Sequence, residues 1–239
     1  MLRLHDHRTG ELVPLPPGPA LRIEVLERAG FRALVTADLL RRVAERQGRR
    51  VRLNSSPYFA AQDQEWHELG IVPFHTYEWE EVPDGLPDAD VYVQSGPSFR
   101  MPEAPDALCL RIPYETGEWY STMANTSWSA IYARLGFLEG HYREPMALTS
   151  EKYVAALNRL DRWRKLVARW AGSPGRPMNR EYVAEAEAAL ANDLDSATAL
   201  DVLDRLADDP RVEPGAKVET FIRIDLLLGL NVVADIGRA

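Results

Sequence analysis

Two short polar turns in this chain follow apolar strand-like runs, and they hold groups well placed to touch a ligand. Asn54 and Ser55 come directly after Val51-Arg52-Leu53, and Gln94, Ser95 and Gly96 after Val91-Tyr92-Val93. At the tips of a parallel sheet, where ligands settle by default, such amides and hydroxyls donate and accept hydrogen bonds without a fixed charge. A third cluster, Tyr114, Glu115, Glu118, Trp119 and Tyr120, adds carboxylates and aromatic rings after the run Leu108 to Ile112. These groups suit an amine or another polar small molecule better than a triphosphate, whose charge the glutamates oppose. They also read as ordinary loop residues.

Other chemistry is thinly supplied. The single cysteine, Cys109, excludes an intrachain disulfide and a multi-cysteine zinc site, and within Ala107-Leu108-Cys109-Leu110 it reads as a small apolar residue. His5, His7, His67 and His75 are scattered, so surface or hydrogen-bonded roles are the default for them. Basic strips, Arg41-Arg42 with Arg46, Arg49, Arg50 and Arg52, and the arginines between 159 and 169, fit either a phosphate-bearing partner or a solvated face. A net charge of -8 argues against binding nucleic acid through the overall field. No apolar run reaches the roughly 20 residues that span a bilayer, and MLRLHDHRTG lacks the apolar centre of a signal peptide. The expectation is a cytoplasmic protein with no membrane partner.

The elements that must position these residues change character along the chain. Leu2 to Leu4 reads as an edge strand, and Gly10 with Pro14, Pro16, Pro17 and Pro19 forces an extended connection. Leu21 to Leu26 is a core strand, Phe31 to Gln47 a helix ended by Gly48, and Arg50 to Leu53 a second strand, which makes a parallel strand, helix, strand unit. Ala60 to Leu69 reads as a helix, and Asp90 to Val93 and Leu108 to Ile112 as two more strands. From Thr122 only helices follow: Ser127 to Leu138, a long one capped by Thr149 or Ser150, Arg180 to Ala191, Ala197 to Ala207, and Val218 to Leu228. Along the long helix Tyr153, Leu157, Leu160, Val167 and Trp170 form an apolar seam that continues through the stem of Arg164. With 46% apolar residues, 239 residues suffice for one large domain or two small ones.

Two phrases in the helical half carry a resemblance. Gly140-His141-Tyr142-Arg143, then Pro145 and Thr149-Ser150-Glu151, resembles the segment after the catalytic core of cysteinyl-tRNA synthetases and of the mycothiol-pathway cysteine ligase derived from them. Asn192-Asp193-Leu194-Asp195-Ser196 with Ala199-Leu200 resembles the acidic turn that opens the next helix in that family. The opening, Leu2-Arg3-Leu4 with Arg8-Thr9-Gly10-Glu11 and Val13-Pro14-Leu15, and the turn Gly70-Ile71-Val72-Pro73 are similar as well. The resemblance implies an α/β fold, with a Rossmann-like parallel sheet unit at 1–121 and an all-α helical bundle at 122–239. It implies an ATP-dependent ligase of the class I synthetase type, ATP being a cofactor by resemblance only.

The signatures that such chemistry needs are missing. The family's His-x-Gly-His phosphate-binding motif falls on Glu27-Arg28-Ala29-Gly30, where both imidazoles are gone and a carboxylate repels phosphate. The Lys-Met-Ser-Lys-Ser loop falls on Thr122-Met123-Ala124-Asn125-Thr126-Ser127, with no lysine. The family's zinc needs two Cys, a His and a Glu, but Val25-Leu26 supplies no cysteine, so no zinc is expected. His141 matches a family position in the bundle, where packing or capping fits better than catalysis, and the chain stops soon after Leu226-Leu227-Leu228-Gly229-Leu230 without an anticodon-binding region. The expectation is a paralogue with a degenerate adenylation site, acting in a specialised pathway on or with an aminoacyl or small-molecule substrate. The alternative is a non-catalytic subunit that docks on a partner enzyme or a tRNA acceptor stem.

Overall fold

The computed structural model describes residues 1–26, 30–55, 68–71, 75–76, 88–95, 106–119, 121 and 129–238. Parallel strands β3 (Ala20–Val25), β4 (Arg50–Ser55), β5 (His75–Thr76), β6 (Val91–Ser95) and β7 (Leu108–Ile112) form one sheet in the order β5-β4-β3-β6-β7. The first of these strands lies at the centre, and the chain winds outward from it in both directions. The α/β, Rossmann-like reading holds, with β5 as the strand that local pattern did not reveal.

Ahead of the sheet, β1 (Arg3–Asp6) and β2 (Glu11–Pro14) form an antiparallel hairpin turned by Gly10 at φ +75°. The extended connection foreseen at the prolines is therefore partly a strand, with Pro14 as its last residue. The hairpin lies along the outer edge of β7. Cys109 N donates to Asp6 Oδ1 at 3.1 Å, and His7 N donates to Cys109 O at 2.8 Å. An edge strand with open backbone groups is thereby covered.

Helix α1 (Phe31–Arg46) packs on one sheet face, where Ile23, Val25, Leu53, Val91, Val93, Leu110 and Ile112 meet its Leu34, Leu39 and Leu40 in a single apolar core. That core continues into the helices α2 (Ile131–Leu138), α3 (Ser150–Trp170), α4 (Arg180–Ala191), α5 (Ser196–Asp208) and α6 (Pro214–Leu228). The expected domain boundary at 121/122 adjoins residues outside the described ones. Most of the helix foreseen at Ala60 to Leu69 and the segments matched to the two synthetase signatures, Gly30 apart, lie outside the described residues.

Each cap has a physical cause. Thr149 Oγ1 accepts from Lys152 N, Asn179 Oδ1 from Glu181 N and Tyr182 N, and Asp195 Oδ1 from Thr198 N at 3.0 Å. Helix α6 starts at Pro214 rather than Val218, because a proline in the first turn lacks only an N–H that the helix would leave unpaired. In α3, Leu157 is half-buried while Trp163 is fully buried, its indole N–H donating 2.8 Å to Asp204 of α5.

A buried ion cluster ties the halves together. The Asp38 carboxylate accepts from Arg134 Nη2, Arg42 Nε and Arg41 Nη2, each at 2.7 Å. Arg134 is fully buried and also donates to Leu69 O and Leu228 O. Burial pushes the Asp38 carboxyl up, but the three guanidiniums outweigh it and bring it down to about 2.

Candidate functional site

Strand order reverses between β3 and β6, so the crevice outside their C-terminal ends is where an open parallel sheet offers a ligand site. The N-terminus of α1 sits there. Gly30, the residue before the helix, brings no capping side chain, and the cap comes from afar. Ser95, at the tip of β6, accepts from Gly30 N through Oγ at 3.2 Å. Glu115 accepts from Phe31 N through Oε1 at 2.7 Å and from Arg32 N through Oε2 at 3.4 Å.

Glu115 is held in place by a short parallel pair, β8 (Glu115–Thr116) with β9 (Met146–Ala147). Leu148 N donates to Thr116 O at 2.8 Å, and Gly117 at φ +101° lies so close to the Leu148 backbone that a side chain would collide with it. A Cβ on Gly30 would run into the Glu115 carboxylate. Burial raises the Glu115 pKa, opposed by the backbone N–H groups it accepts from, among them Phe31 and Arg32, and by the Arg32 charge. The terminus of α1, an anion cradle by its free N–H groups and dipole, thus already holds a carboxylate.

The other expected ligand contacts spread over the sheet. Asn54, Glu24, Tyr92 and Cys109 share one register row, and Gln94 lies two residues further on the same face, opposite to α1. Ser55 shares its row with Val25 and Val93, on the α1 face. Asn54 Oδ1 accepts from Arg52 Nε at 3.1 Å. Ser55 Oγ and both polar atoms of Gln94 are buried without a hydrogen-bond partner among the described residues. Trp119 turns into the core, edge-on to Phe31 at 5.4 Å and to Phe137 at 5.2 Å. Gly96 lies outside the described residues.

Two buried polar groupings around the site escaped the sequence reading. Arg32 is buried on α1, and its guanidinium donates to the carbonyls of Gly140, His141 and Glu144, fixing the loop before β9. Asp193, at φ +59°, accepts from His5 N at 2.8 Å, Tyr142 Oη at 2.6 Å and Arg143 Nε at 2.8 Å, with His141 Nε2 at 3.4 Å. Burial lowers the His141 pKa, against the pull of Asp193, so this histidine tends to neutrality in a packed position.

Much of the basic strips is engaged internally, though Arg50 and Arg169 have no side-chain partner among the described residues. Arg41 and Arg42 hold Asp38, Arg46 pairs with Glu187, Arg49 donates to Pro16 O, and Arg159 and Arg162 bind Asp201, Asp204 and Asp208 of α5. Among the described residues no three His, Cys, Asp or Glu side chains converge as metal ligands, and no helix is long and apolar enough to cross a membrane.

No family model matches the chain. A part of it is similar to curated proteins named L-cysteine:1D-myo-inositol 2-amino-2-deoxy-alpha-D-glucopyranoside ligase. The relative from Salinispora arenicola is 39% identical over 103 residues, 41% of this chain and 24% of the relative. One from Corynebacterium jeikeium, carrying the same name with the number 2, shares 39% over 103 residues, with the same coverage. The protein from Streptomyces coelicolor is 40% identical over 101 residues, again 41% and 24%. The match thus spans about a quarter of the length of these relatives, and their names agree with the cysteine-ligase family that the motifs of this chain resemble.

Proposed function

We propose that this chain is a cysteine-ligase-like protein with a degenerate adenylation site, handling a small amine-bearing or aminoacyl molecule at the strand tips without activating it through ATP. The observation that carries this reading is Glu115 on the amides of Phe31 and Arg32. A phosphate brought to that terminus meets a carboxylate instead of open N–H groups, and like charges at contact distance repel by several kcal/mol at an effective dielectric of about 20. The residues present do not fit the phosphates of ATP there.

A zinc-bound thiol site does not fit either, since β3 runs into Leu26 where the resemblance asks for cysteine. What the strand tips retain is neutral hydrogen-bonding capacity. Ser55 on the α1 face and Gln94 on the opposite face each bury polar atoms without a partner among the described residues, and such groups call for a bonded occupant. A polar molecule carrying an amine, the chemistry named for the relatives' substrates, answers that need. The docking alternative draws less support, because most of the arginines that could meet a phosphate-bearing partner are paired with this chain's own carboxylates and carbonyls.

The test is cysteine-dependent exchange of pyrophosphate into ATP, expected at background, with calorimetric titration of cysteine and of glucosamine in parallel. Robust exchange would overturn the degenerate site. Elemental analysis should find no stoichiometric zinc.

A further inference from the structure

The hairpin β1–β2, the end of β7 and the loop before β9 line a cleft of about 460 Å³ that shares no residue with the α1 terminus. Its polar lining is basic: His5, His7, Arg111 and Arg143, with Tyr114 beside them and no carboxylate among the described residues. Arg111 stands on edge strand β7 without a carboxylate partner among the described residues, and its Nη1 lies 3.3 Å from His7 Nε2. A guanidinium can only donate, so this imidazole accepts. Desolvation by burial, then the Arg111 charge, lower the His7 pKa, in keeping with a neutral ring.

Arg143 is held by its Nε, 2.8 Å from Asp193, which leaves its terminal nitrogens without a partner among the described residues. The same Asp193 carboxylate accepts from His5 N and from Tyr142 Oη, so one buried group fixes both hairpin and loop around the cleft. Groups fixed in this way lose little freedom when a ligand arrives.

We propose that this cleft binds the phosphate of a small phosphorylated molecule of about the size of a sugar phosphate. Its donors come from three backbone segments, which suits a tetrahedral anion better than a planar carboxylate that one guanidinium fork would satisfy. The volume lies in the range of small-molecule sites, and Pro113, Pro145 and Tyr114 wall it against an apolar ring face.

Calorimetry with glucose 6-phosphate, inorganic phosphate and glucose tests it on the full chain. Glucose 6-phosphate binds, glucose does not, and inorganic phosphate binds more weakly. Arg111→Ala, which removes no ion pair from the fold, weakens binding about 10- to 100-fold at an unchanged unfolding midpoint. Arg238→Ala, an exposed arginine elsewhere, leaves it unchanged. Three results overturn the proposal: no binding of glucose 6-phosphate tighter than about 1 mM, equal affinity in Arg111→Ala, or equal affinity for inorganic phosphate. Arg111-dependent binding of a short RNA alone overturns it too, by moving the surface to a macromolecule.

Discussion

Gly30 and Glu115 should be energetically coupled, and a double-mutant cycle measures the coupling. Glu115→Ala removes the acceptor from Phe31 N and Arg32 N, a lost cap worth about 0.5–2 kcal/mol. Gly30→Ala puts a Cβ into the Glu115 carboxylate and must evict it, so it costs the same cap. The Gly30 backbone, at φ -74° and ψ 170°, is extended and accepts alanine without strain. In the Glu115→Ala background Gly30→Ala therefore costs almost nothing, or stabilises by up to about 1 kcal/mol through the unfolded chain. The coupling is then about 1 kcal/mol or more, read from urea melts of the four proteins at neutral pH with equal m-values. Additivity within about 0.5 kcal/mol would refute the picture of Glu115 as the occupant of this terminus. A second readout is linkage. With Arg111→Ala in both backgrounds to silence the basic cleft, inorganic phosphate should raise the unfolding midpoint of Glu115→Ala more than that of the protein that keeps Glu115, since a ligand stabilises only the state that binds it. Equal shifts would mean that the carboxylate does not compete.

Three further outcomes are expected. Asp38→Asn leaves Arg134 buried without its counter-charge and should cost about 3–5 kcal/mol in denaturant melts. Because the Asp38 pKa is depressed, its contribution is present above the ordinary carboxylate value and is lost as pH falls from about 4 through about 2, a loss of about 2 kcal/mol that Asp38→Asn should abolish in an acid titration of stability. Asp195→Ala should cost about 0.5–2 kcal/mol as a lost cap and the fully buried Leu200→Ala about 2–5; a neutral Asp195→Ala with Leu200→Ala below about 1 would undo the helical assignment. Burial pushes the Cys109 thiol up to about 11, so iodoacetamide should label it only on unfolding, as mass spectrometry with and without urea would register.

Local signals carried most of the fold. A helix that starts at Thr149, Asn179 or Asp195 declares itself, because the capping side chain lies within three residues of the amides it serves. The strand β7 and the helix α4 have the limits that apolar runs and breakers predict. Strand β5, with two residues, carries no period to detect, and the Gly10 hairpin is fixed by its docking on β7, where Asp6 and His7 bond Cys109. The site was legible as a list of residues and not as an arrangement. Ser95 and Glu115 stand among the polar groups after two strands, yet Glu115 caps a helix 84 residues earlier in the chain, a distance that no local pattern bridges. Trp119 sits in the same cluster and turns to the core, since a large ring gains more from burial against Phe31 and Phe137 than from a rim. Arg32 and Arg134 defeat a reading that leaves arginines at the surface, because loop carbonyls accept from the Arg32 terminal nitrogens, and the Asp38 carboxylate with the carbonyls of Leu69 and Leu228 accepts from Arg134.

The two phrases that carry the resemblance meet in space, and the contacts they make there are structural. Asp193 of the acidic turn binds the Tyr142 hydroxyl and Arg143, with His141 at 3.4 Å, while Ser196 Oγ donates to Leu138 O at 2.7 Å. The left-handed backbone at Asp193 and Leu194 is the strain that aims this carboxylate. Nothing in that contact set activates an acid or holds a triphosphate; it staples a loop to the start of α5, and β1 to both. The staple serves the fold whatever the α1 terminus holds, and there it holds Glu115. The resemblance carried by these two phrases is therefore a likeness of scaffold contacts, and activity has to be argued from the strand tips, where this chain presents a carboxylate and neutral amides.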